Sequence, residues 1–243
     1  LSKIGTQPII GTQINFIYKQ TIGLLPLFAM NADGYKRIIE LSTNSYLESN
    51  GLSLPHCDFS ELMKKNNGIS IFSGSIDSLT GKLFNQGKYD DINEIYSKLV
   101  SSYKDRFYIE IQRHGDPNEK AFEKYNLEKS NNLNIPIIAT NEVFYLDQTM
   151  HEAHDALICI GNKTYVNEKN RKRFSNQHYL KTSLEMSELF SDIPEALENN
   201  YSFPIRFSFK PEFSKPVLPN IGSDKGIDAD ELLIKDSVDG LKN

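Results

Sequence analysis

Three residues of this sequence have side chains that could together hold a metal ion. Asp77, His114 and Glu142 each follow a short apolar run, at the point where a strand would end. Imidazole and carboxylate groups are the usual ligands of a hydrolytic metal ion, so these three are candidate ligands. The competing interpretation is a hydrogen-bonded histidine and loop carboxylates with no ion between them.

Other catalytic patterns are absent or incomplete. His151 and His154 are one residue too close for the HExxH zinc motif, so the surface of a helix is the better interpretation. Gly81 and Lys82 lack the spacing of a phosphate-binding P-loop, and Leu83 stands where that motif needs serine or threonine. No nucleophile elbow of the form G-x-S-x-G occurs.

A basic cluster is the one candidate for contact with nucleic acid. It consists of Lys169, Arg171, Lys172 and Arg173. Such a cluster can bind phosphate groups. A solvated loop is the alternative, because no aromatic residue interleaves the cluster in a way that would stack on bases.

Short apolar runs predict the strands that would position these residues. Ile69–Phe72, Phe107–Ile111 and 135–139 are bounded by turn residues or by helical patterns. The third run is almost continuously apolar, which predicts burial on both of its faces. Strands that alternate with helices predict a parallel sheet or a barrel with helices outside it.

Helical patterns fill the intervals between these strands. The clearest is Tyr89–Tyr103, with apolar residues at a spacing of 3.6. Capping side chains are expected at the starts of four helices: Asp33, Asp90 or Asp91, Thr182 with Glu185 as a capping box, and Asp228.

Composition limits the class of protein. The chain has 243 residues, a formal net charge of -5 and two cysteines, Cys57 and Cys159. The charge argues against a surface that binds nucleic acid everywhere, and two cysteines cannot build a disulfide framework. No run is long enough to span a membrane, so we expect no membrane partner and a cytoplasmic location.

Seven segments resemble the PHP (polymerase and histidinol phosphatase) domain of bacterial DNA polymerase III alpha subunits. They stand in the family's order at 8–13, 31–35, 71–74, 108–115, 136–146, 153–155 and 190–197, and the last is very similar to the family's F-x-D-I-P-E-A-L. The resemblance implies an α/β fold of the PHP type, a distorted (β/α) barrel that is incomplete at the N-terminus. It also implies a PHP-like domain at 1–203, a proline-rich linker at 204–226 and the truncated start of a palm-side domain at 227–243.

The resemblance also implies that the family's metal site is degenerate here. Six positions fall where metal-binding members carry ligands: Gln13, Leu24, Ser75, His114, Glu142 and Phe144. Leucine and phenylalanine cannot coordinate a metal ion, and glutamine is a poor substitute for a carboxylate. We therefore expect no catalytic residue and no metal ion in this segment.

By resemblance, the parent protein is a DNA-directed DNA polymerase whose Mg²⁺ site lies beyond this chain. This segment would be a structural module that docks the rest of the polymerase chain, a proofreading exonuclease subunit and the replisome, and that meets DNA only through the parent. Two alternatives stay open. One is a metal-dependent PHP phosphoesterase or 3'–5' exonuclease, and the other is a stand-alone binding protein with the PHP fold.

Overall fold

Six strands form the framework of the molecule. The computed structural model describes residues 4–47, 49, 51, 54–212, 215–216, 226 and 228–242. The strands are β1 (Ile10–Tyr18), β2 (Thr21–Ala29), β3 (Cys57–Asp58), β4 (Ile69–Phe72), β5 (Phe107–Ile111) and β6 (Ile137–Ala139). They form one sheet in the order β3-β1-β2-β4-β5-β6.

Helices connect and flank these strands. They are α1 (Ala32–Leu47), α2 (Leu79–Asn85), α3 (Tyr89–Tyr103), α4 (Glu119–Leu133), α5 (His151–Asn162), α6 (Ser183–Leu189), α7 (Pro194–Ser202) and α8 (Ala229–Gly240). The predicted bounds of β4, β5 and α3 are confirmed. Of the run 135–139, only Ile137–Ala139 forms a strand, β6. Every residue of β6 is buried, as predicted from its apolar sequence.

The expected α/β fold of the PHP type is confirmed, but the sheet is mixed and not wholly parallel. β1 and β2 form an antiparallel hairpin, and β2 also pairs antiparallel with β4. Only β1 with β3, β4 with β5, and β5 with β6 are parallel. Among the described residues the sheet therefore stays open, with β3 at one edge and β6 at the other.

The β1–β2 hairpin carries two residues that strand statistics disfavour. Pro26 lies inside β2, directly opposite Gln13 of β1. A Cβ atom at Gly23 would lie 2.4 Å from the Cα atom of Leu79, so only glycine lets β2 approach the start of α2 this closely. Because glycine and proline are uncommon inside strands, the sequence did not predict β2.

Two of the predicted helix caps are wrong. Asn31, not Asp33, caps α1, since its Oδ1 accepts the N–H of Gly34 at 3.0 Å. Helix α3 has no side-chain cap, and Asp90 and Asp91 lie in its first turn. The Thr182 capping box and the Asp228 cap are confirmed.

The sheet buries apolar side chains on both faces. One face packs against helices, including α1 and α3, through residues such as Leu27, Ile71 and Phe107. The other face holds an aromatic cluster that comprises Phe72, Tyr108, Ile138, Phe203 and Phe207, with Phe28 and Met30 packed against it. Alternation along β5 places Glu110 on the second face, beside Tyr108.

The chain divides into two compact units, Leu1–Lys210 and Pro211–Asn243. In the first unit, Pro204–Arg206 forms a one-turn 3-10 helix, and Phe207 is buried. Much of the predicted linker 204–226, namely 213–214 and 217–225, lies outside the described residues, and the domain boundaries stay predictions. No helix within the described ranges is both long and apolar enough to cross a membrane.

Candidate functional site

The candidate residues meet in a cleft beside the carboxyl ends of β4, β5 and β6. A cavity of about 220 Å³ is lined by five of the six family positions, namely Gln13, Leu24, Ser75, Glu142 and Phe144. An adjoining cavity of about 620 Å³ contains the sixth, His114, together with Asp77 and Glu142. Parallel strands align their carboxyl ends, and for this reason residues far apart in sequence converge here.

Register explains how the β1–β2 hairpin contributes to this cleft. Gln13 and Pro26 lie opposite each other and so share one face of the sheet, and Leu24 lies two residues before Pro26 on that face. Gln13 is exposed, whereas Leu24 is half-buried. The side of the cleft nearest the hairpin therefore offers one amide and no charged group.

His114 is held by Glu119 at the start of α4. The Glu119 carboxylate accepts the N–H groups of His114 and Gly115 at 2.8 Å each and that of Asp116 at 3.2 Å, and it lies 3.3 Å from His114 Nδ1. Burial alone would raise the pKa of Glu119, but the hydrogen bonds from His114 outweigh it and lower that pKa. Glu119 was missed in the sequence, where it reads as an ordinary residue of the first helical turn.

The other ring nitrogen of His114 is also engaged. Nε2 accepts the backbone N–H of Glu142 at 3.1 Å, so it carries no proton, and the ring proton lies on Nδ1, facing Glu119. Both nitrogens thus have protein partners in this arrangement. A metal ion would have to displace the Glu142 amide to reach Nε2.

His178, which sequence reasoning also missed, completes this arrangement. Its ring stacks on that of His114, with centroids 4.0 Å apart and planes within 3°. Its Nδ1 donates to the carbonyl oxygen of Glu142 at 3.1 Å. Burial, and next the charge of His114, lower the pKa of His178 to about 4. The two imidazoles therefore bind the backbone on both sides of Glu142, His114 at its N–H and His178 at its carbonyl oxygen.

Glu110 is a second buried acid that the sequence analysis overlooked. It lines the smaller cavity, and its residue is only 6% exposed. Oε1 accepts hydrogen bonds from Thr140 Oγ1 and, at 3.0 Å, from Gln112 Nε2, while Oε2 has no partner among the described residues. Burial raises the pKa of Glu110. A charged residue type at an inward position of an apolar strand was the signal available in the sequence.

Glu142 and Asp77 bring further carboxylates to the cleft. Burial raises the pKa of Glu142, and the neighbouring charge of Asp77 raises it less than burial does. Asp77 Oδ2 lies 3.9 Å from Lys172 Nζ, which also sits 4.6 Å from the centre of the Phe174 ring. The exposed rim of the cleft therefore contains one carboxylate–ammonium pair.

Phe144 belongs to an aromatic cluster at the mouth of the cleft. Its ring centroid lies 4.5 Å from that of Phe174 and 5.1 Å from that of His154, to which it is nearly parallel. His151 Nε2 lies 2.9 Å from the carbonyl oxygen of Phe174. The two histidines of α5 are thus half-buried and engaged in packing and hydrogen bonding, and so are not freely exposed on the helix surface.

The basic cluster is divided between structural and exposed roles. The Arg171 guanidinium pairs with both oxygens of Asp155 at 2.5 and 2.6 Å, and both side chains are almost fully buried. Arg173 lies 3.5 Å from Asp155 and is exposed, as is Lys169. Arg171, Lys172 and Arg173 line the larger cavity, so phosphate contact there stays a prediction.

The side chains of the cleft do not fit a metal ion of the kind that metal-binding members of the family hold. Leu24 and Phe144 supply no donor atom, and both nitrogens of His114 have partners. Ser75 Oγ already accepts the N–H of Asp77 at 3.3 Å. Across the part of the chain that the structure describes, no group of three or more histidine, cysteine or acidic residues could hold an ion.

Comparison with known proteins agrees with the resemblance. The PHP domain family matches residues 1–114. DNA polymerase III subunit alpha of Caulobacter vibrioides is 32% identical over 249 residues, which cover 98% of this chain and 22% of that protein. The subunits of Rickettsia felis and Buchnera aphidicola are 33% and 32% identical over 98% and 99% of this chain, and 20% and 21% of their own lengths. The chain spans about a fifth of the length of these relatives. Residues 1–114 thus match the PHP domain family, and nearly the whole chain is similar to part of bacterial DNA polymerase III alpha subunits.

Proposed function

We propose that the parent of this chain is a replicative DNA polymerase and that this segment is its non-catalytic PHP module. Relatives of that name match nearly the whole chain at 30–33% identity. The polymerase carboxylates and their Mg²⁺ ion would lie in the remaining four-fifths of such a protein. DNA would then be bound by the parent rather than by this segment.

The hydrogen bonding of His114 carries the non-catalytic assignment. His114 is the one family position that keeps an imidazole, yet Nδ1 faces Glu119 and Nε2 accepts the Glu142 N–H. A histidine ligand needs a free nitrogen lone pair for the ion, and no such lone pair remains in this arrangement. Leu24 and Phe144 add nothing that could compensate.

Metal analysis combined with a nuclease assay tests this assignment. The 243-residue chain is incubated with Zn²⁺ or Mn²⁺, dialysed, and assayed for bound metal and for cleavage of 3'-labelled single-stranded DNA. We expect bound metal well below one ion per chain and no cleavage above that of the His114→Ala variant.

The competing assignment is a metal-dependent phosphoesterase or 3'–5' exonuclease. One observation favours it, because Asp77, His114 and Glu142 line the same cavity. One equivalent of bound metal, together with cleavage that His114→Ala abolishes, would establish this activity and overturn the non-catalytic assignment.

An apolar groove supports the docking role of the module. Val143, Leu146, Met150 and Leu157 line a depression of about 420 Å³ on α5 and the segment before it. Leu146 is 69% exposed and Leu157 is 63% exposed. Exposed apolar grooves of this kind often mark protein interaction sites. We assign this groove to a proofreading exonuclease subunit, while other surfaces would pack on the rest of the polymerase chain and face the replisome.

Binding of the exonuclease subunit from the same organism tests the docking role. The variant Leu146→Asp places a charge in the groove, so we expect it to weaken the complex by at least about tenfold. The matched control is Leu184→Asp on α6, whose side chain is 68% exposed and lies outside the groove. Equal affinities of the two variants, or no complex with the unaltered chain, would count against the docking role.

A further inference from the structure

The cleft contains more carboxyl groups than cationic groups. Asp77, Glu110 and Glu142 line the smaller cavity, where Lys172 is the one lysine or arginine in the lining. Glu142 makes no side-chain hydrogen bond or ion pair with any described residue, and the Asp77–Lys172 pair is long, at 3.9 Å. Unpaired carboxylates in a partly buried cleft repel one another, and a second cation there would stabilise them.

Glu110 is a second feature of this cleft that favours a positively charged ligand. Its residue is more than nine-tenths buried, and Oε2 has no hydrogen-bond partner among the described residues. A buried polar atom without a partner costs stability and calls for a ligand or another compensating group. An opposite charge within about 4–6 Å favours the ionised carboxylate even without direct contact.

Aromatic rings give the cleft a preference among cations. Phe144 and Phe174 line the cavity, with ring centroids 4.5 Å apart. Lys172 Nζ already lies 4.6 Å from the centre of the Phe174 ring, which is the geometry of a cation–π contact. A planar guanidinium stacks on such rings and pairs with a carboxylate through two parallel hydrogen bonds, whereas an ammonium cannot do both.

We propose that this cleft binds the guanidinium group of an arginine side chain presented by a partner polypeptide. The proposal rests on the docking role proposed above and names the chemistry that its partner supplies. A divalent metal ion is the poorer occupant, because no group of three suitable ligands occurs among the described residues and two lining residues are aromatic.

The test uses two short peptides that differ in one charge. Acetyl-Gly-Arg-Gly-amide is titrated into the 243-residue chain, and the citrulline peptide, which has the same shape without the charge, is the control. Nuclear magnetic resonance of labelled glutamate and phenylalanine side chains reports binding. We expect saturable shifts at Glu110, Phe144 and Phe174, with binding of the citrulline peptide at least about tenfold weaker. Equal binding of the two peptides, or shifts outside the cleft, would overturn the proposal.

Variants locate the site. Glu110→Gln removes the charge at nearly constant volume, so we expect arginine peptide binding about tenfold weaker. The control Glu152→Gln, on the exposed surface of α5, should bind as the unaltered chain does. Lys172→Met removes the internal competitor and should strengthen binding. Unchanged affinity in both Glu110→Gln and Lys172→Met would refute the assignment.

The outcomes separate this inference from the docking role. If the arginine peptide does not bind but the exonuclease subunit still binds in a Leu146-dependent way, only the arginine site is wrong. If the peptide binds in a Glu110-dependent way and the subunit does not bind, the docking partner is wrong and the site stands.

Discussion

The imidazole rings of His114 and His178 lie parallel, with 4.0 Å between their centroids, and both hold the backbone of Glu142. His114 accepts the N–H of Glu142, and His178 donates to its carbonyl oxygen. The segment after β6 is thus fixed by two side chains from distant parts of the chain. His114 stands where the PHP family would place a metal ligand, but here its side chain connects two loops.

Loss of the His114 ring should destabilise the fold. His114→Ala leaves the Glu142 N–H and part of the Glu119 carboxylate without partners in half-buried positions, so we expect a loss of about 1–3 kcal/mol in the free energy of unfolding. Urea denaturation measures it. The control is His56→Ala, since the hydrogen bond of the His56 ring is to the nearby carbonyl oxygen of Leu54. A cost as large as that of His114→Ala would contradict the role of the His114 ring.

Acid should weaken the fold through His178. Its pKa is lowered from 6.5 to about 4 in the folded chain, so between these values the unfolded chain binds more protons. Stability is therefore full above pH 6.5 and falls as the pH falls towards 4, by about 1–2 kcal/mol once solvent screening is allowed for. The other titratable side chains whose charges act on the His178 ring are those of His114, Glu119 and Lys181.

Comparison with the His178→Asn variant isolates this effect. Free energies of unfolding are measured for both proteins at pH 7.5, 6 and 5. The difference between them should shrink as the pH falls, and a constant difference would show that the His178 ring does not carry the dependence.

The pH dependence due to Glu110 should have the opposite sign. Burial raises its pKa, so the folded chain binds more protons than the unfolded chain, and Glu110 costs stability as the pH rises above 4.5. We expect Glu110→Gln to be more stable than the unaltered chain at pH 8, with the gain vanishing at pH 4. Thermal unfolding at both pH values measures this, and a gain that is larger at pH 4 would contradict it.

The buried Arg171–Asp155 pair should be necessary for the loop that carries the basic cluster. Asp155→Asn leaves the Arg171 guanidinium, whose side chain is only 3% exposed, without its counter-ion, so we expect a loss of stability several times that of the control below. Replacing both residues, as in Asp155→Leu with Arg171→Met, should recover most of that loss. The control is Glu94→Gln, which removes the charge from the half-exposed pairs with Lys98 and Lys19 and should cost much less.

The first turn of α1 offers a test of the corrected cap. Asn31→Ala removes the side chain that accepts the Gly34 N–H, so we expect a loss of about 1 kcal/mol in stability. Asp33→Ala, inside the first turn, should cost less, because the Asp33 carboxylate contributes only its attraction to the positive end of the helix dipole. The opposite ranking in denaturation would restore Asp33 as the cap.

The sequence by itself determined the local elements whose signals are short-range. The bounds of β4, β5 and α3 and the Thr182 capping box follow from apolar periodicity and from residues three positions apart. The ordered family segments likewise sufficed to identify a PHP domain. The Asp33 cap failed because Asn31 stood two residues away and local rules do not choose between them.

Only the tertiary structure decided the chemistry of the cleft. The partner of His114 Nε2 is an amide 28 residues away, and the residue that stacks on its ring is farther still. Glu110 Oε2 lacks a hydrogen-bond partner among the described residues because the sheet and its loops bury this atom. The periodicity of apolar residues shows which face of a helix or strand is buried. The hydrogen-bond partner of a given nitrogen or oxygen depends instead on which distant segment the fold brings next to it. For this reason the residue types suggested a lost metal site, and the fold showed what holds His114 instead.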